Sequence, residues 1–430
     1  MCPRTLLGSL AAALAAGCLS AGCADAPGLT TPPPPPTSVT ITAVSPSSGP
    51  LGGGTTVAIS GTHLDSVSSV TIGGRTLKMD QVIQGTVLTG ITPGATASGG
   101  VDVVASVIGG GTATCHGCFT YSSLAGFARY AVTFLGADYD SSWASDINRD
   151  GTAVGVVWTG QTRRGRMWPS TGAAVDLDSL YPVDINDAAT VLVLLPAGSA
   201  TRTGLWRNGA VTALAGLDSS SALAGPLGIT NGGLVALVGS GNIFLWQSGT
   251  VIASIGTFGV LSIGRMNNRG EIAVTGMGQY GYSQAGIMGI GGGRIVSMSA
   301  AVALNDADEV IGTCSAHPLP GSSGCASSLG VLPFIPVAIN NTPQIVGLGQ
   351  VWRDTGGGGE ELVPEWFVWS GGATAGLTSL VTDSSWQVTD VSAISDRGQI
   401  AAYGLNTATG QRGAIRLDPV AGTSGSSAKP

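Results

Sequence analysis

The chain is 430 residues long, enough for two or three domains. Its 69 glycines, 22 prolines and only 10% charged residues favour short strands joined by tight turns, and exclude a disordered chain, which needs high charge and low hydrophobicity. The formal net charge is −7 and no lysine or arginine cluster occurs, which sets nucleic acid aside as a partner.

The first elements in the chain are an address. A single basic residue, Arg4, precedes an apolar run from Leu6 to Leu14, a signal-peptide length too short to span a bilayer. The run ends on Leu19-Ser20-Ala21-Gly22 before Cys23, which resembles a bacterial lipobox, the motif whose cysteine is acylated and becomes the mature N-terminus. We therefore expect a signal peptide over 1–22 and lipidation at Cys23, with Cys18 as the alternative site. An ordinary cleaved signal with a chance cysteine is the plainer reading. Residues 23–37 then form a tether, stiffened by Pro32 to Pro36, which force polyproline II at roughly 3 Å per residue. The expectation is export, with the membrane touched only through lipid, in the periplasm or at the cell surface.

Residues 38–122 show apolar alternation at period two between turn residues: Val39–Val44, Thr56–Ile59, Val70–Ile72, Val87–Thr89 and Val101–Val107. That is the pattern of a β-sandwich. The order Val44-Ser-Pro-Ser-Ser-Gly-Pro50, Gly52-Gly-Gly-Thr-Thr-Val57, Ile59-Ser-Gly-Thr-His-Leu64, Val70-Thr-Ile-Gly-Gly74, Thr92-Pro-Gly94 and Phe119-Thr-Tyr121 resembles the IPT/TIG family of Ig-like domains. The resemblance implies a spacer or binding module and brings no catalytic residues. His63 stands where the family has a polar turn residue and is read as one. Cys115-His-Gly-Cys118 lacks the helical context of a redox CxxC and the further ligands of a zinc site, so a structural disulfide beside a turn before the last strand is expected.

Residues 127–418 are dominated by an internal repeat, first seen as Asp146-Ile-Asn-Arg-Asp-Gly-Thr-Ala-Val-Gly155. Its key position recurs at Asn148, Asn186, Thr230, Asn267, Asn305, Asn340 and Ser395, at spacings of 38, 44, 37, 38, 35 and 55 residues. A strand ending in tryptophan follows in four copies, at Trp168, Trp206, Trp246 and Trp369, and then a further strand. The pattern resembles the HAF family of extracellular repeats, which implies a propeller-like array. Seven blades are expected, or six if one copy has degenerated. The fifth copy lacks its tryptophan strand and carries an insert with Cys314 and Cys325, read as a second disulfide. The last copy ends without its final strand, and Tyr130–Leu135, ahead of the first copy, is expected to supply it by pairing with residues 413–417. Residues 419–430 read as a disordered tail.

The fold class is thus all-β, an Ig-like β-sandwich followed by a β-propeller. Chemistry is sparse. Asp146-x-Asn148-x-Asp150-Gly151 starts like a calcium loop, but Val154 and Val157 occupy its later ligand positions, and the same turn recurs without the acids. No metal and no cofactor is expected. His317 is the one histidine of the repeat region and no nucleophile elbow accompanies it. Trp143, Trp158, Trp352, Trp366 and Trp386 fall outside the repeated tryptophan position and are the candidate ligand-stacking residues. We expect a non-catalytic, lipid-anchored envelope or surface protein whose propeller binds a polysaccharide or a protein. The alternatives are a carbohydrate-active hydrolase or lyase with a carboxylate site in the propeller channel, favoured if acidic side chains cluster there, and a purely structural envelope component.

Overall fold

A computed structural model describes residues 38–196, 202–215, 217, 225–257, 260–277, 283–296, 298, 300–314, 325–354 and 359–420. Cys18, Cys23, the proline run, His317 and residues beyond 420 lie outside the described residues, as do the side chains of Cys314 and Cys325.

The sandwich has one sheet of Thr40–Ser45, Thr56–Thr62, Val87–Ile91 and Lys78–Ile83. The other contains Ser48–Gly49, Thr112–Tyr121, Gly99–Val107, Val67–Ile72 and Arg75–Thr76. Val57, Ile59, Leu88, Val103, Phe119 and Tyr121 meet between them. Burial of Tyr121 is made tolerable by its hydroxyl, which donates to the Pro93 carbonyl at 2.6 Å. Cys115 and Cys118 are disulfide-bonded, with Cα atoms 5.6 Å apart. They sit within the last long strand rather than beside a turn ahead of it. Val101 pairs with Phe119 and Val103 with Cys115, so residues 116–118 bulge outward, and Gly117 supplies the φ of 62° that the bend requires. His116 and the Gly117 N–H both face Asp102, at 3.0 and 2.9 Å, and hold its carboxyl below the ordinary range, the Gly117 N–H contributing most.

Seven four-stranded sheets follow, one for each copy of the repeat, numbered here as blades 1 to 7. Blade 1 is Ser141–Ile147, Ala153–Thr159, Thr162–Trp168 and Val175–Asp176, and it sets the pattern. The motif turn always joins the first two strands. In the fifth copy a short third strand, Cys325–Ser327, is present, contrary to the expectation that it is missing, and the backbone register sets Cys314 opposite Cys325. Blade 7 consists of Trp386–Ile394, Ile400–Asn406 and Arg412–Val420, and its fourth strand is Arg129–Phe134. Val132 lies opposite Leu417 and Phe134 opposite Ile415, so the strand from before the first copy closes the last sheet as expected. The pairing runs on to Val420, so residues 419 and 420 are strand and not tail.

Both faces of each sheet are buried against neighbouring sheets. Blades 6 and 7 share a core of Val346, Val368, Trp366, Trp386 and Ile400. Blades 7 and 1 share Ala393, Ala401, Ala414, Ala144 and Trp168. Blades 1 and 2 meet through Val154, Met167, Val191 and Trp206. The succession continues around the array, with a separate cluster between each neighbouring pair, so the sheets close on themselves. Each repeat-position tryptophan is buried in one of these clusters, where its ring fills the space between blades.

The blade 6 hairpin is extended, with two strands of 11 residues, Gln344–Asp354 and Glu360–Ser370. Its extension meets the sandwich. The Trp352 backbone N–H donates to the Gly52 carbonyl at 3.0 Å and its indole N–H to the Thr92 carbonyl at 2.9 Å. Lys78 lies over the same indole, 5.6 Å from its centre. Gly54, at φ 79°, packs so closely on the Gln350 carbonyl that a Cβ would collide with it.

Candidate functional site

The motif turns gather at one end of the central channel, and their side chains are consumed by structure. Asn148 is buried, and its Oδ1 accepts the N–H groups of Asp150 and Thr152 at 3.1 and 2.9 Å. Its Nδ2 donates to the Asn186 carbonyl of blade 2 at 3.2 Å. The same donation recurs from Asn186 to Thr230, Asn267 to Asn305, Asn305 to Asn340, and Asn340 to Ser395. One residue further on, a second ladder runs around the ring. The N–H groups of Arg149, Asp187, Asn231, Asn268, Asp306 and Asn341 each donate to the side chain at the same position in the next blade. The ladder breaks between blades 7 and 1, where Arg149 offers no acceptor, and an exposed Arg397–Asp150 ion pair at 3.1 Å spans the gap.

Two residues before the motif asparagine, Asp146, Asp184, Arg265 and Ala303 line the channel, whereas Ala338 and Ala393 are buried in the cores between blades. Arg265 crosses from blade 4 to the opposite wall, reaching Asp146 at 3.5 Å and the Ser392 carbonyl at 2.7 Å. The acidic cluster that would favour a hydrolase is therefore partly present, in a well of about 310 Å³. Its carboxylates are committed, however. Asp146 accepts the Ile185 N–H, and Asp184 accepts those of Ile185 and Ile229. Burial, and then the neighbouring Asp184, push the Asp146 carboxyl well above its ordinary value; Arg265 opposes this without reversing it. A two-carboxylate glycosidase needs its groups about 5 Å apart or more and free to face sugar or water, whereas both oxygens of Asp184 are taken by backbone N–H groups. Among the described residues no cluster of histidine, cysteine and carboxylates is grouped to hold a metal.

The other end of the ring is aromatic. Trp143, Trp158, Tyr181 and Tyr403 line a cleft of about 280 Å³ with Ser141 and Val156. The rings come from three successive sheets, blades 7, 1 and 2, and all four are half-buried. Trp143 and Tyr403 lie 5.9 Å apart with planes inclined at 32°, and the Arg163 guanidinium sits 4.8 Å above Tyr181. On the rim, Asp140 accepts the Gly160 N–H at 2.7 Å. Asp390 is cross-strand neighbour to Tyr403, and burial raises its carboxyl above the ordinary value.

The five candidate tryptophans divide. Trp143 and Trp158 share the cleft. Trp366 and Trp386 are 6% exposed and belong to the core between blades 6 and 7, so neither presents a face to a ligand. Trp352 is spent on the contact with the sandwich. Tyr181 and Tyr403 were not among the sequence candidates. Tyr181 had a signal: it stands five residues before the motif asparagine, as Trp143 does, and no other copy has an aromatic there.

Residues 39–123 match the IPT/TIG domain. No curated protein matches the chain. Among solved structures, it is similar to an auxiliary nutrient binding protein from Bacteroides ovatus at 16% identity and TM-score 0.34, covering 90% of this chain and 99% of that one. It is also similar to a putative phosphatase from Bacteroides thetaiotaomicron (13% identity, 89% and 97% coverage, TM-score 0.26). A third is the β-propeller domain of the Trilobed protease from Pyrococcus furiosus (10% identity, 88% and 93% coverage, TM-score 0.29). Superposition this loose does not extend to binding residues.

Proposed function

We propose that this chain is an exported, lipid-anchored, non-catalytic binding protein that holds a polysaccharide in the aromatic cleft of its propeller. The observation that carries the reading is the convergence of Trp143, Trp158, Tyr181 and Tyr403 on one open cleft. Propeller aromatics are normally consumed between sheets, as Trp168, Trp206, Trp246 and Trp369 are here. Rings left half-exposed and grouped offer flat apolar faces to the C–H faces of sugars, the chemistry of an amphipathic platform. The commitment of Asp146 and Asp184 to backbone N–H groups supports binding without turnover. The lipobox-like segment ending at Cys23 supports the anchor.

Binding is tested by titrating residues 38–430 with cell-wall and secreted polysaccharides and following tryptophan fluorescence, with chromatography of the recovered glycan. Saturable quenching with intact glycan is expected; shortened products would replace this reading with the hydrolase. For the anchor, palmitate labelling in an exporting bacterium should be lost in Cys23→Ser and kept in Cys18→Ser.

A further inference from the structure

The rim of the cleft carries information on the class of glycan. Building on the polysaccharide reading above, we propose that the cleft selects an uncharged glycan segment and discriminates against uronate-bearing ones. The reason lies in the charged groups that border the four rings. Asp140 is exposed at the edge of blade 1, tied to the wall by its own N–H on the Trp158 carbonyl at 3.0 Å and by one carboxylate oxygen on Gly160. Asp390 occupies in blade 7 the same repeat position that Trp143 and Tyr181 occupy in blades 1 and 2, five residues before the motif position, and it pairs with Tyr403. A cation, Arg163, also borders the rings. It is the cross-strand neighbour of Trp158 and lies over the Tyr181 ring.

A polymer with a carboxylate on each sugar would bring several negative charges against two acids and one arginine. A neutral polymer meets none of that repulsion. Its hydroxyls find acceptors in Asp140 and Asp390 and a donor fork in Arg163, while its C–H faces cover the rings. A binding site built for anionic glycans would instead present several guanidinium or ammonium groups for carboxylates to pair with.

The test uses matched pairs that differ only in charge. β-1,4-Glucan is set against β-1,4-polyglucuronate and β-1,4-mannan against β-1,4-polymannuronate, each titrated by tryptophan quenching at low and high salt. The expected result is saturable quenching by at least one neutral member, little changed by salt, with its uronate partner at least tenfold weaker. In Asp140→Asn the gap should narrow at low salt through a gain by the uronate. Tighter binding of a uronate polymer, weakened by salt, would overturn this selectivity while leaving polysaccharide binding intact. No quenching by any member would remove the polysaccharide reading itself, and the selectivity with it. Trp143→Ala serves as the control that places the signal in the cleft, since its quenching should vanish while its unfolding remains cooperative.

Discussion

The two ends of the propeller channel are made from the same repeat and do opposite things with their side chains. At the motif end, nearly every polar group is answered by the next blade, so the larger cavity is a by-product of a closed hydrogen-bond ring. At the far end, the smaller cleft collects aromatic rings that only partly cover one another. The size of a cavity is therefore a poor guide here. What separates a site from a seam is whether its groups already have partners.

That contrast can be broken deliberately. Asn305→Ala strikes the seam: its Oδ1 serves the N–H groups of Ala307 and Glu309 while its Nδ2 serves the Asn340 carbonyl. Leaving these buried groups unpaired should cost about 3 kcal/mol in urea unfolding. Any protein that remains folded should quench with glycan as before. Trp143→Ala strikes the cleft, and should cost about 1–2 kcal/mol for a half-buried ring while abolishing quenching. If both variants lost binding and stability together, the division of labour between the ends would be wrong.

Arg265→Met removes the bar across the channel, at about 1 kcal/mol because the Arg265 side chain is 44% exposed and the ion pair is correspondingly screened. Asp146 gives a pH signature. Its carboxyl binds its proton more tightly folded than unfolded, so stability should fall as pH rises from near 3.8 towards the raised folded value, and level off beyond it. Asp146→Asn should remove that contribution to the slope, read by thermal unfolding across pH. Smallest of all, Glu360→Gln should change unfolding by under about 0.5 kcal/mol, since the Arg75–Glu360 pair at 3.5 Å is exposed on both sides.

Much of this architecture was legible from local chemistry. The repeated turn marked every blade, and the missing strand after residue 417 matched the surplus one at Tyr130, because strand count is a property of the chain itself. The second use of the motif asparagine was not legible, since the carbonyl that receives Asn148 lies 38 residues away and nothing in the turn announces it. Trp366 illustrates a different limit. In the run Trp366-Phe-Val-Trp369, alternate residues enter two different cores, so both faces are buried and period-two alternation cannot reveal which ring is free. Trp352 was illegible for a third reason: its partner, Thr92, is 260 residues earlier in another domain.

The docking of the sandwich on blade 6 has a mechanical consequence. The strand that closes the ring, Arg129–Phe134, follows the sandwich directly, and its first residue pairs with Val420. A pull on residue 38 carried along the chain would arrive at that end pair and peel the closing strand one rung at a time. The Trp352 contact offers the load a second path, through the blade 6 hairpin and into the body of the ring. Tension on the N-terminal side is thereby shared before it reaches that end pair.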